Sequence, residues 1–357
     1  MKKDSSVELL RVFASLMVIA CHIKFGHWEG NVLDPSRTLW ACIVSDGVGI
    51  FFMITGFFAF SGKKPYKDQV KKLFMSVILP SACLMIASHF FNYRGDIDII
   101  YSLKEVLYAF LTWGDHMSLY PHLWYIFEYI KCFFAIPLLK LACKEEHRKV
   151  RYGLIALGLI TVIFQGINYY KPPKFGYWAS YPVSVITYAM IHMLIGYEIY
   201  LRRDKLKGNP RTLILGLVLA IAGNALRFFC IMGSGIDFFL QWHSVPGYIC
   251  TIGYGLLFLS INLKSIRLQK TIGWLGGMTF GVYLLHWMAI IMLHKYQSNF
   301  MIKISLLNAP ARPLLELVYI IFYSIFIFIV SLIGTAICTY ACKGIKLVFS
   351  RLKKSKN

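Results

Sequence analysis

Charge is scarce in this chain. Only 15% of its 357 residues are Asp, Glu, Lys or Arg, against about a quarter in an ordinary soluble domain. Acids are scarcest, 17 against 38 Lys and Arg, for a net charge of +21. The hydrophobic share is 57%. It falls in repeated blocks of roughly twenty residues, the length that crosses a bilayer as a helix. A soluble globular domain is therefore not expected. Neither is a β-barrel, because the blocks are continuously apolar rather than alternating. There is no CxxC pair among the nine cysteines. Cys21, Cys42, Cys83, Cys132, Cys230, Cys250 and Cys338 lie in apolar stretches and read as small buried residues. No P-loop, dinucleotide glycine fingerprint, HExxH or GxSxG occurs. Asp115, His116 and His122 have no specific ligand spacing, so neither a metal nor a cofactor is expected. The cations sit between the apolar blocks and lack interleaved aromatic readers, which argues against nucleic acid and for contact with anionic membrane lipid.

What is present is an all-α pattern: a polytopic membrane bundle of about ten helices. The spans read at about 8–26, 39–60, 73–91, 122–142, 152–169, 182–201, 211–231, 246–263, 273–293 and 314–341. Alternate connections are basic. Lys63, Lys64, Lys67, Lys71 and Lys72 form one set, Lys144, Arg148, Lys149 and Arg151 a second, and Arg202, Arg203, Lys205, Lys207 and Arg211 a third. Lys264, Arg267 and Lys270 follow, and the tail from Lys343 is basic too. The positive-inside rule makes these connections cytoplasmic and puts both termini inside. The expected organisation is one membrane domain, 1–342, and a basic tail, 343–357. Met1-Lys2-Lys3 before an apolar run is like the start of a signal peptide. Arg11 and His22 interrupt the run, however, and no small-residue cleavage site follows, so a retained first helix is expected. Leu103 to Trp113 reads as a short interfacial helix.

Ionisable groups inside apolar spans cost at least ~2.5–3.5 kcal/mol at mid-bilayer and need a reason. Glu8, Arg11, His22, Asp46, Glu128, Lys131, His192, Arg227 and His286 are such groups. Arg11 and His22 are eleven residues apart, which returns His22 to within about 20° of the face of Arg11 and about 16 Å along the axis. Glu8 is one turn before Arg11 and suited to pair with it. Arg11 either snorkels to the cytoplasmic surface or meets an anionic phosphate there. His22 either satisfies a neighbour or serves as a base for a hydroxyl. Asp46 reads as near the outer end of its span and partly hydrated. Arg227 lies too far from the cytoplasm to snorkel, so it pairs with an acid, Asp46 or Glu128, or binds an acidic ligand. His122, Trp124 and Tyr125 read either as interfacial anchors or as lining of an outer-face acceptor site, and His286, beside Tyr283, reads as facing either the bundle or the outer interface.

Five of these stretches together resemble the membrane acyltransferase-3 family. Arg11 to His22 is an R-x10-H element like that of the family's first helix. Gly47 to Phe58 is similar to its "GV-x-x-FF-x-x-(S/T)-GF" helix, and Lys71-Lys72 with Pro80 to its basic-then-proline helix. His122-Leu123-Trp124-Tyr125 with Pro137, and Thr279 to His286, resemble its "HLW(F/Y)…P" and "(S/T)-x-G-x-YL-x-H" elements. The chain departs from the family in carrying lysines where arginines are favoured, Ser76 and Val77 nearer the proline, and Glu128 at a usually apolar position.

The resemblance implies a bundle of about ten helices in a bacterial cytoplasmic membrane. It implies transfer of an acetyl group from cytoplasmic acetyl-CoA, a substrate rather than a cofactor, to a hydroxyl of a cell-surface or lipid-linked glycan. His22 would be the catalytic histidine, as base or as covalent carrier. Arg11 would be its partner in the motif and, with Lys71 and Lys72, would bind the donor. His122, Trp124, Tyr125, Tyr283 and His286 would stand on the acceptor side. The related membrane half of vancomycin-type serine racemases precedes a racemase domain; none follows residue 341 here, so racemisation is not expected. A transporter or flippase of glycan precursors, lined by Arg227, Asp46 and His22, is the alternative, although there is no inverted repeat. Oligomeric state is left open.

Overall fold

The computed structural model describes residues 4–61, 65–92, 99–112, 121–170, 186–305 and 311–354. The described chain is almost wholly helical. In order the helices are α1 (Ser5–Ile23), α2 (Pro35–Val44), α3 (Gly47–Ala59), α4 (Tyr66–Leu73), α5 (Leu79–Asn92), α6 (Ile99–Leu111) and α7 (Trp124–Ala142). Then come α8 (Arg148–Tyr170), α9 (Tyr188–Leu201), α10 (Arg203–Leu206), α11 (Pro210–Ser234), α12 (Val245–Leu259), α13 (Ile266–Ser305) and α14 (Ala311–Lys354). One feature departs from the all-α expectation. Trp28–Glu29 pairs antiparallel with Val32–Leu33 in a minimal hairpin, turned by Gly30 in the left-handed region at φ 64°. The interfacial segment expected from Leu103 to Trp113 is helical over Ile99–Leu111; Trp113, Asp115 and His116 lie outside the described residues.

Among the described residues, seven segments are long and apolar enough to cross a membrane: Ser5–Ile23, Pro35–Ala59, Tyr66–Ala87, Glu145–Asn168, Pro210–Ser234, Ile266–His294 and Ala311–Cys342. Three expected spans fall short of that standard for physical reasons. The helix α7 carries Glu128, Lys131 and Lys140 within its 19 residues. The helices α9 and α12 have 14 and 15 residues, about 21–23 Å at 1.5 Å per residue, against a hydrocarbon core of about 30 Å.

Local chemistry sets the element ends. Asp4 caps α1 by accepting from the Ser6 amide. Asn209 caps α11 and Pro210 opens it, and Gly235 closes it at φ 70°. Pro80 has no N–H and its ring crowds the carbonyl four residues back, at Ser76. The helix between α4 and α5 widens to a π-turn over Phe74–Ile78, which accommodates that clash.

The chain divides into two compact units. The first comprises residues 1–44 and 263–357, and the second residues 45–262. In the first, α1 packs on α13 and α14, which also pack on each other. Ile19, Ile23, Val282, Ala289, Ile290, Ile327 and Phe328 form one apolar core there. In the second, α11 packs on α12 and α3 on α9. The α3–α9 contact is made by reciprocal glycines. A Cβ on Gly56 would strike the Met193 backbone, and one on Gly196 would strike the Met53 backbone. Gly56→Val should therefore separate the two helices and cost about 1–3 kcal/mol. Gly153→Ala in α8, where an added Cβ meets nothing within 4 Å, should be near neutral. Thermal unfolding in detergent compares the two.

Candidate functional site

The first helix presents its polar groups to α13. The Arg11 guanidinium donates from one nitrogen to both carboxylate oxygens of Glu8, at 3.2 and 3.1 Å. Glu8 is only 3% exposed, and its carboxylate abuts Gly276 so closely that a Cβ there would overlap it. Glu8 thus faces α13, and only a glycine leaves room for it. Further along, the His22 ring lies 5.4 Å from His286 and 5.1 Å from Trp287, centroid to centroid. Glu8 meets residue 276 and His22 meets 286–287, so α1 and α13 run in the same direction. Glu8 and His22 therefore both meet α13, while Arg11 is part-exposed and the His22 residue is exposed. His22 keeps accessible surface, whereas His286 is 0% exposed.

The partners of His286 define its tautomer. Its Nδ1 lies 2.5 Å from the Tyr283 carbonyl. A carbonyl can only accept, so Nδ1 carries the proton and Nε2 the lone pair. Tyr283 packs beside it at 5.7 Å. Of the two readings left open for this pair, the structure selects the bundle-facing one: Tyr283 and His286 are both buried.

Beyond the end of α1 is a second polar cluster that the sequence reading missed. Arg37 Nε donates to Glu316 Oε1 at 2.8 Å, and Arg312 donates to Asp34 at 2.5 Å. Asp34 also caps α2, accepting from the Ser36 hydroxyl and the Arg37 amide. Burial opposes ionisation of Asp34, but these hydrogen bonds and the charges of Arg312 and Arg37 hold its carboxyl below the usual range. Glu316 was legible as an acid inside the last apolar block; the tie to Arg37, 279 residues earlier, was not.

The second unit holds the other candidates. Asp46 and Arg227 form a two-pronged ion pair at 2.5 and 2.9 Å, with both residues 0% exposed. This corrects the expectation of a hydrated Asp46. Leaving water is offset here by the facing guanidinium, and it answers which acid Arg227 meets. Glu128 instead pairs with Lys131 at 2.6 Å. Lys71 and Lys72 are exposed on α4. His122 is buried, while Trp124 is exposed and stacks on Trp242 at 6.0 Å. Tyr125 packs on Phe52 at 4.8 Å. His192 stacks on Tyr248 at 4.0 Å. His22 and His286 thus stand together, and His122, Trp124 and Tyr125 belong to the other unit.

Two outcomes test this geometry. Gly276→Ala should dislodge Glu8 from Arg11 and depress any His22-dependent activity by about tenfold, while the more open Gly153→Ala should not; turnover in isolated membranes compares them. Asp46→Leu or Arg227→Met alone should cost about 3–5 kcal/mol by stranding a buried charge, and the double variant much less. A thermal-unfolding double-mutant cycle reads that difference.

Comparison with known proteins adds one positive finding. The sequence model of the acyltransferase-3 family, described as an acyltransferase domain, matches residues 4–336. No curated protein matches the chain, and no solved structure does.

Proposed function

The chain belongs to the acyltransferase-3 family, and from that premise we propose that it is an O-acetyltransferase of the cell membrane, moving acetyl from acetyl-CoA to a hydroxyl of a glycan. The family supports membrane acyl transfer in general. The observation that carries the assignment of the site is the apposition of His22 and His286 at 5.4 Å, on the same α1–α13 seam that holds Glu8.

In this reading His22 accepts the proton of the acceptor hydroxyl. The hydroxyl oxygen attacks the thioester carbonyl carbon, an ester C–O bond forms and the C–S bond breaks. The proton then passes from His22 to the departing thiolate, so the products are the acetyl ester and free CoA thiol. A covalent variant, with acetyl resting on the imidazole before the hydroxyl takes it, uses the same groups. The Nε2 lone pair of His286 is suited to hold the His22 ring by accepting from its N–H, a positioning role.

Arg11, a permanent cation near the start of α1 that keeps part of its surface, is suited to a phosphate of the donor. A role for Lys71 and Lys72 as further donor cations is supported by the family resemblance alone. The ten-span topology with both termini in the cytoplasm is supported by the alternation of basic connections. The donor would then approach from inside and the acceptor from outside. The transporter alternative drew on Arg227 and Asp46. Their closed ion pair favours the enzymatic reading, because it commits both charges to each other.

Membranes containing the protein should consume acetyl-CoA in the presence of surface glycan and release CoA thiol. His22→Ala should reduce that rate by about 10²–10⁴-fold at unchanged protein level. Arg11→Lys should raise the KM for acetyl-CoA more than it lowers kcat. Unaltered acetyl content of the purified glycan after His22→Ala would sink the proposal; a transporter would change the amount of glycan rather than its acetylation.

A further inference from the structure

The second unit carries a concentration of positive charge that the chemistry assigned to His22 does not use. Three guanidinia surround the Tyr152 phenol of α8. Arg148 donates from Nε to the Tyr152 hydroxyl oxygen at 2.9 Å, and Arg202, at the end of α9, donates to the same oxygen at 3.1 Å. The Arg148 and Arg151 guanidinia also lie over the Tyr152 ring, 5.2 and 5.8 Å from its centroid. One carboxylate stands among them. Glu198 accepts from Arg151 at 2.5 Å and from Arg202, and the Tyr152 hydroxyl donates to it at 3.3 Å. Arg151 is 0% exposed, so that carboxylate is committed first to a buried cation. Glu145 reaches Arg148 only at 3.9 Å, with both side chains more than half exposed, a pairing that water screens.

Two like charges drawn onto one phenol oxygen from different helices form a fork suited to an anion. Both arginines are exposed. Arg148 spends only Nε on Tyr152, and its two terminal nitrogens make no hydrogen bond among the described residues. A phosphate accepts from two guanidinia at once and supplies the missing negative charge. What surrounds the fork identifies the kind of phosphate. Glu145–Asn168 is long and apolar enough to cross a membrane, and its 24 residues cover about 36 Å at 1.5 Å per residue. It outreaches a hydrocarbon core of about 30 Å, so Arg148, in its first turn, stands at headgroup depth. From Tyr152 an exposed apolar stripe runs on along α8 through Ala156, Ile160, Ile163 and Ile167, each three or four residues beyond the last. Acyl chains would follow that stripe; a soluble phosphate has no use for it.

We infer that Arg148, Arg202 and Tyr152 hold the phosphate of an anionic phospholipid whose acyl chains lie along α8. The inference needs only that α8 spans the bilayer, and it is independent of the acetyl transfer. Orientation by the positive-inside rule asks for charge alone, whereas this fork asks for two guanidinia and a phenol in one arrangement.

The test uses the full chain in a mild detergent, with phosphatidylglycerol, phosphatidylcholine and inorganic phosphate as probes. Native mass spectrometry measures retained lipid, and thermal unfolding measures stabilisation by each probe. Phosphatidylglycerol should be retained about tenfold more tightly than phosphatidylcholine, whose choline cancels the phosphate charge. Arg148→Gln should abolish that preference. Tyr152→Phe, which keeps every charge but removes the shared hydroxyl, should reduce it about threefold. Lys264→Gln removes one exposed charge from another basic connection and should leave the preference unchanged. If Arg148→Gln does not fold, Arg148→Lys, which keeps the charge and loses the fork, carries the test and should fall below wild type. Equal retention of the two lipids by wild type, or an equal loss in Lys264→Gln and the Arg148 variant, overturns the site in favour of diffuse surface charge. Stabilisation by inorganic phosphate as strong as that by phosphatidylglycerol shows a soluble-anion site and overturns the lipid assignment.

Discussion

A guanidinium on an apolar helix has to be neutralised where it stands, and in the first unit this is done by Glu8. The carboxylate accepts twice from Arg11 and is seated against the bare Cα of Gly276. That contact fixes which face of α1 meets α13. Once it is set, helical periodicity brings His22 to the same seam eleven residues later, beside His286 and Trp287. A wider residue at 276 would rotate or lift α1, and the two histidines would lose their apposition with it.

The same rule of compensated charge recurs through the molecule. Asp46 and Arg227, both removed from water, face each other with two hydrogen bonds. Arg151, also 0% exposed, donates to Glu198 at 2.5 Å and to the Ala142 carbonyl at 3.1 Å. Arg37 is held by Glu316 and the Ser305 hydroxyl. Such pairs add little net stability compared with apolar packing, but removing one partner is costly, so they constrain register strongly. In a bundle whose helices are largely apolar, these few charge pairs distinguish one packing of similar helices from another.

By itself the sequence determined much that depends on local rules. Block length and continuity gave helices rather than strands, because the backbone in an apolar medium must bond to itself. The eleven-residue spacing put Arg11 and His22 on one stripe, because a helix repeats every 3.6 residues. The Glu8–Arg11 pair followed from a three-residue offset. What lay beyond reach were contacts between helices distant in the chain. Nothing in the periodicity of α1 says that His22 meets residue 286, that Asp46 rather than Glu128 answers Arg227, or that Glu316 reaches Arg37. Spacing constrains neighbours on one helix, whereas partners on different helices are chosen by packing: by where a glycine lets two backbones approach, and by which buried charge would otherwise be left alone.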